Sequence, residues 1–554
     1  MGKKNFTIIQ LTRLGDIIQT TQAAKDFRVQ HPDIELNIIC RKEFGLALSF
    51  ILKGTFDNII YISKDELLEG CDNDLDLYLS SINKWLSQEV LQNIDVLLNF
   101  SFCETSNRLS TLITAKNRLG TFSSPQNQTL VKDQWSQLVY SMVMSGPHNP
   151  YNLVDIYKNI LGIKERSCWT DNDWQPKEAH EVKTLGIHPF ASQDKKKWKP
   201  AKWTEVIYKL LKDEENILVE IFGSNSEVEF GEQILNSKVL SKFKDRITNN
   251  VGKLSLEQTY YRLGRCSHFV GHDSLLGHLA KLHNLPTLTI ALGTVRPIET
   301  APYGHNTFVM APRTKCFPCF PKTDCSFYQC HADLSYQAVT ETLKTFIIDN
   351  EINFKVLNNS ISPFHLDSVD IFRLGPTNAG WYAAEKLGND HPTSREVFKD
   401  ILRVALSYKF EEVEEIISLP ATSRDQKRYL EQINDGVRQI FELCEFGKKY
   451  SGDILREVSQ VSPDLEKIKT FANKIDEVDR LMDLLGKTYN DLKPVIDYYK
   501  IVKFNLEGEN IVELSESSYI VYDDNSITCS ILYELIGKCL PQQEARGKST
   551  EGNV

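Results

Sequence analysis

The 554-residue chain carries 41% hydrophobic and 25% charged residues, ordinary values for a globular protein of about two to four domains. A formal net charge of −10 argues against a nucleic-acid binder, and no apolar run reaches the roughly 18 residues that span a bilayer, although peripheral membrane contact stays open. The start, MGKKNFTIIQL, reads as strand rather than signal peptide, so the twelve cysteines point to reduced thiols or metal ligands in a cytoplasmic protein.

Phe6–Leu11 reads as a buried strand, Thr12–Asp16 as a turn and Ile17–Gln30 as a helix. Leu36–Cys40 (strand), Phe44–Leu52 (helix), Asn58–Ile62 (strand), Leu75–Ile94 (helix) and Val96–Phe100 (strand) continue the alternation. Residues 1–172 are therefore expected to form one α/β domain. Asp171–Glu181 is polar and contains Pro176, which suits a linker. A second α/β domain is expected over 182–350, from strand Leu185–Phe190, helix Trp203–Leu211, strand Ile217–Phe222 and helix Ser255–Cys266. Strand His268–Val270, turn Gly271–Ser274, helix Leu275–Leu282 and strand Thr287–Leu292 then make a βαβ unit with very short connections, and Ser335–Ile348 closes the domain as a helix.

Beyond residue 350 the strand-like runs fade, and 351–554 reads as a mainly α-helical extension. Ser462-Pro463 reads as an N-cap with proline at the first helical position. Leu465, Ile468, Ala472, Ile475, Val478, Met482 and Leu485 then share one stripe, for packing inside a helical domain or for self-association. Phe410–Ile417 (FEEVEEII) reads as an acidic solvated face.

Four turns could carry chemistry. Asp16, in the first strand–helix turn, could act as a general base or simply cap its helix. Asp194–Pro200 (DKKKWKP) sets lysines at a strand's carboxyl end, where cations could hold a diphosphate leaving group, while Trp198 and Trp203 suit packing. Glu227, after the next strand and Gly223, could accept ribose hydroxyls. Ser274 is placed to cap a helix whose free N–H groups suit an anionic ligand.

In this order the turns resemble glycosyltransferase family 9, the ADP-heptose heptosyltransferases of bacterial surface polysaccharide synthesis. The resemblance covers about residues 1–350. It rests on Arg13-Leu14-Gly15-Asp16 (R-x-G-D), Lys196-Lys197-Trp198 (K-x-W), Gly223–Glu227 (G-x-x-x-E) and Asp273-Ser274-Leu275-Leu276-Gly277-His278 with Pro286-Thr287 and Gly293-Thr294. The family's glycine after Asp-Ser is Leu275 here, and its proline early in the first helix is Gln22. The resemblance implies a GT-B architecture of two facing Rossmann-like domains, and an inverting glycosyl transfer without a catalytic metal. Asp16 is then the base, Lys196 and the Ser274 helix start hold the departing nucleoside diphosphate, and Glu227 holds the ribose. Arg13, Gly15, Asp273 and His278 complete the donor pocket. ADP-heptose is the favoured donor, with a lipopolysaccharide-core sugar or a protein hydroxyl as acceptor. The rival expectation is a catalytically silent, nucleotide-binding scaffold of this fold that acts through its helical extension.

Cys316, Cys319, Cys325 and Cys330 fall within fifteen residues, with Pro318 and Pro321 in the turns. Four thiolates suit a structural tetrahedral Zn²⁺ or a single iron ion. A similar cluster is common in family 9, some protein heptosyltransferases holding iron there. His331 is expected beside the knuckle or at the surface rather than as a fifth ligand.

Overall fold

The computed structural model describes residues 3–69, 71–145, 149–163, 182–320, 323–388, 392–411 and 423–540. The predicted linker 171–181, residues 412–417 of the acidic segment, and Pro321 lie outside the described residues. The chain divides into two compact units, one of residues 1–140 with 151–390, the other of 141–150 with 391–554.

The first unit contains two sheets. One holds β1 (Asn5–Ile9), β2 (Glu35–Arg41), β3 (Asn58–Ile62), β4 (Ile94–Asn99), β5 (Ala115–Ser123) and β6 (Thr129–Lys132) in the order β3-β2-β1-β4-β5-β6. All its neighbours pair parallel except β6, which turns back against β5. Ile8, Ile9, Ile38, Ile39 and Leu97 are fully buried, which explains the apolar runs of these central strands. The expected helix 75–94 stops at Leu86 with Ser87 as its C-cap; a 3-10 turn over Glu89–Leu91 follows, and Asn93, at a left-handed φ of 57°, leads into β4. Likewise 44–52 is two short helices, Lys42–Ala47 and Ser49–Leu52, that meet at Leu48.

The second sheet holds β7 (Lys183–His188), β8 (Ile217–Ile221), β9 (Ile247–Asn249), β10 (His268–His272), β11 (Thr287–Ile290), β12 (Thr307–Pro312), β13 (Val369–Pro376) and β14 (Tyr382–Lys386). Its order is β14-β13-β12-β11-β10-β7-β8-β9, with β7 to β12 parallel and β13 and β14 antiparallel. The sheet thus runs past residue 350, where helix alone was expected. Val369, Ile371 and Leu374 are buried and Thr377–Gly380 closes the hairpin, which covers the β12 edge that parallel pairing leaves open. Gly271 and His272, expected in a turn, belong to β10.

The two lobes are joined within this unit by the helix Leu153–Ile160. Its capping Asn152 side chain donates to Ile298 O (2.9 Å) and Ala301 O (3.1 Å) of the second lobe. On its other side Lys158 pairs with Asp26 of the first lobe (2.5 Å) and donates to Tyr303 OH (3.2 Å). Tyr303 in turn donates to Asp155 (2.7 Å), and Gln22 donates to Tyr303 O (3.0 Å). Phe50 also meets Tyr260 across the lobes, with ring centroids 5.2 Å apart.

The second unit is helical over its described residues 394–411, 424–458, 465–488, 493–504 and 511–539. Asp464, not Ser462, caps the helix Leu465–Thr488, its carboxylate accepting from Glu466 N and Lys467 N at 3.0 and 3.2 Å. Ile468, Val478 and Met482 of the predicted stripe are buried within the unit, whereas Leu465 and Ala472 are exposed. Among the described residues no helix is long and apolar enough to cross a membrane.

Candidate active site

Strand order reverses between β1 and β4 in one sheet and between β7 and β10 in the other. Open α/β sheets bind ligands outside the strands' carboxyl ends at such points. Both open onto one pocket of about 660 Å³. Arg13, Gly15, Asp16, Lys196, Glu227, Asp273, Ser274 and His278, the eight residues singled out in the sequence besides the cysteines, all line it.

The first lobe contributes the β1 turn. The helix Leu14–Gln30 starts there, and Asp16 Oδ2 accepts the Arg13 N–H at 3.2 Å. Asp16 is thus a capping residue and a pocket residue together. Gly15 meets the opposite lobe, since a Cβ on it would lie 3.3 Å from the His278 ring.

The second lobe supplies three turns. After β7, Lys196 Nζ donates to Asp273 Oδ2 at 2.9 Å, with side chains only 10% and 13% exposed. Asp273 Oδ1 accepts from Thr300 at 3.3 Å. After β8, the Glu227 carboxylate accepts from Ser224 N (2.7 Å) and Oγ (2.8 Å), so it too closes a cap. After β10, Ser274 starts the helix Leu275–Leu282, but its hydroxyl is buried at the pocket wall without a hydrogen bond. His278 stands one turn in, buried. Desolvation pulls its pKa down, while the Asp273 and Asp16 carboxylates push it back up. Leu275 also lines the pocket.

Sequence reasoning missed several contributors, His188, Phe44 and Thr300 among them. His188, at the end of β7, lines the pocket with its Nδ1 3.0 Å from Phe222 O, and burial lowers its pKa. A histidine closing a strand beside the Lys196 turn was a usable signal. Phe44, in a predicted helix, and Thr300 carried no signal of their own.

The four cysteines lie at the edge of this machinery. Burial raises the Cys319 pKa, and thiols 316, 330 and 325 add to the rise, which places all four in one electrostatic neighbourhood. Tyr328 N–H donates to Cys325 Sγ (3.4 Å), and Gly293 and His331 N–H groups donate to Cys330. Four thiols with N–H donors are the right chemistry for a soft tetrahedral ion. Among the described residues, however, no three candidate ligands are drawn together as around an ion, so the donor set fits by composition and not yet by closure. His331 Nε2 lies 3.0 Å from Lys195 O. Gly293 fits here because its φ is 61° and a Cβ would strike Lys195 O.

Two Rossmann-like lobes facing one pocket make the first unit a GT-B-type protein. Residues 114–329 match the model of glycosyltransferase family 9 (heptosyltransferase). Among solved structures it is similar to the E. coli ADP-heptose LPS heptosyltransferase II, with 18% identity, 62% of this chain and 99% of that one covered, and a TM-score of 0.43. For E. coli heptosyltransferase WaaC with ADP the figures are 18%, 63%, 100% and 0.44. For the iron-containing dodecameric glycosyltransferase TibC from enterotoxigenic E. coli they are 15%, 65%, 78% and 0.36. No curated protein matches.

Proposed function

We propose that the chain is an inverting glycosyltransferase that moves heptose from ADP-heptose to a hydroxyl of a lipopolysaccharide-core sugar or of a protein. The supporting observation is the single pocket in which Asp16 from one lobe faces Lys196 and the Ser274 helix start from the other. In this reading Asp16 takes the acceptor's hydroxyl proton while that oxygen attacks the anomeric carbon. The bond from that carbon to the diphosphate breaks, and ADP leaves with the electron pair. Lys196 and the free N–H groups after Ser274 balance the growing negative charge, so protein groups rather than a catalytic metal do this work. Ser274 Oγ, buried and without a partner, suits a phosphate oxygen. Glu227 takes the ribose by exchanging its bonds to Ser224.

Four thiolates from Cys316, Cys319, Cys325 and Cys330 would hold one zinc or iron ion, which supplies rigidity to the loop beside Lys195. The test is mass spectrometry of products from purified protein given ADP-heptose and acceptor hydroxyls. Release of ADP with an added mass of one heptose supports the reading. Tight ADP binding with no turnover favours the silent scaffold, a reading kept in view by Leu275 at the pocket wall.

A further inference from the structure

His272, the last residue of β10, is fully inside the protein at 1% exposure and does not line the pocket. Its ring is nevertheless bonded on both sides. Nε2 accepts the Trp198 backbone N–H at 3.0 Å and the Trp203 indole N–H at 3.2 Å. Nδ1 lies 3.2 Å from Ile290 O, the last residue of β11. A carbonyl only accepts, so Nδ1 carries the ring proton and Nε2 is left as the acceptor. Burial keeps the ring in this neutral form, since it pulls the pKa down to about 3.

Trp198 N–H has little other choice of partner. Trp198 is fully buried, and its amide lies between the short 3-10 turn Asp194–Lys196 and the helix Pro200–Asp213, outside both, where it donates to His272. An unmade bond there would leave a buried donor orphaned, and the turn would shift to find a partner. Two residues before that amide stands Lys196, whose ammonium is held by Asp273, the residue next to His272. Adjacent positions at the end of one strand therefore grip one turn at two points, the backbone at 198 and the side chain at 196. Rotation of the turn about either point is blocked by the other.

The geometry points to His272 as a positioning residue for diphosphate recognition, which accepts the Trp198 and Trp203 N–H groups and thereby aims Lys196 into the pocket. The inference rests on the reading of that pocket as a nucleoside-diphosphate site. It separates His272 from an ordinary core histidine, which would affect stability alone.

The experiment is titration of ADP and of adenosine against wild type, His272→Phe, His272→Gln, Lys196→Ala and the His272→Phe/Lys196→Ala double variant, each with a thermal melt. His272→Phe removes the acceptor and should weaken ADP about tenfold while adenosine binding holds, the size of one charge-assisted contact. His272→Gln keeps an acceptor oxygen and should restore affinity to within about threefold. Because His272 acts through Lys196, the double variant should bind ADP no more weakly than Lys196→Ala. An unchanged ADP-to-adenosine ratio in His272→Phe, or additive losses in the double variant, would overturn the proposal. Wild type that prefers ADP no more than adenosine would instead remove the diphosphate reading and the proposal with it. Ring ¹⁵N spectra of wild type cover the case in which His272→Phe does not fold. An Nδ1–H tautomer whose Nε2 signal moves with ADP and not with adenosine supports the role, and a signal indifferent to ADP refutes it.

Discussion

Replacing Asp16 by asparagine separates its observed cap from the catalytic role proposed for it. The amide side chain would keep an oxygen for the Arg13 N–H, so the start of the helix Leu14–Gln30 survives and only the favourable charge at the helix N-terminus is lost. That loss is about 0.3–1 kcal/mol at an exposed site, and in a unit of this size it should move Tm by roughly 3 °C at most. The base is lost entirely, and positioned proton transfer contributes about 10²–10⁴-fold to rate. Asp16→Asn should therefore turn over ADP-heptose about 10²–10⁴-fold more slowly while ADP affinity stays within about twofold. Asp16→Ala should share the rate loss but destabilise further, by about 0.5–2 kcal/mol, because the cap goes as well. The assay is ADP release in the presence of acceptor, beside thermal melts of all three proteins. Turnover at the wild-type rate in Asp16→Asn would return the residue to capping alone.

Lys196→Ala should weaken ADP binding, more so at low salt than at high salt, because a charge contact is screened; salt-independent affinity would place the diphosphate elsewhere. Glu227→Ala should weaken ADP with little effect on turnover of bound donor, read by titration against single-turnover rates. Freshly purified protein should carry about one zinc or iron ion per chain by elemental analysis, and Cys316→Ser/Cys319→Ser should lose it along with local stability; a metal-free wild type of full thermal stability refutes the knuckle. Burial depresses the folded pKa values of His188, His268 (to about 4) and His272 (to about 3), so between those values and 6.5 the unfolded chain binds more protons. Stability should hold above pH 6.5 and fall as pH drops toward 4, with a slope of at most about 1.4 kcal/mol per pH unit for each histidine. Thermal melts from pH 7 to pH 4.5 check this, and a flat profile contradicts it.

The pocket was legible because its residues sit at strand ends, where short runs such as FTIIQL, ILVEIF and HFV are followed within a few residues by Gly, Asp or Ser. Period and punctuation together place such residues on one side of a parallel sheet, and the second sheet then follows the same rule. Three kinds of feature were not legible. The β13–β14 hairpin lay where composition turned helical, since a strand that covers a sheet edge needs only Val369, Ile371 and Leu374 inward. The Asp464 cap could not be told from Ser462-Pro463, because both offer a side-chain acceptor before an apolar stripe. The grip of His272 on Trp198 joins residues 74 apart, and no local pattern reports a contact at that distance.

The chain of groups from half-buried Asp26 through buried Lys158 and Tyr303 to Asp155 has a mechanical meaning. Lys158 is 3% and Asp155 1% exposed, so pulling the lobes apart there would carry an ammonium and a carboxylate into water together and leave Tyr303 without either. The contact of Phe50 with Tyr260 is a lighter one, of about 0.5–1.5 kcal/mol beyond its area. The polar chain, which cannot part without exposing both charges, therefore ties the lobes together more firmly than the aromatic pair does.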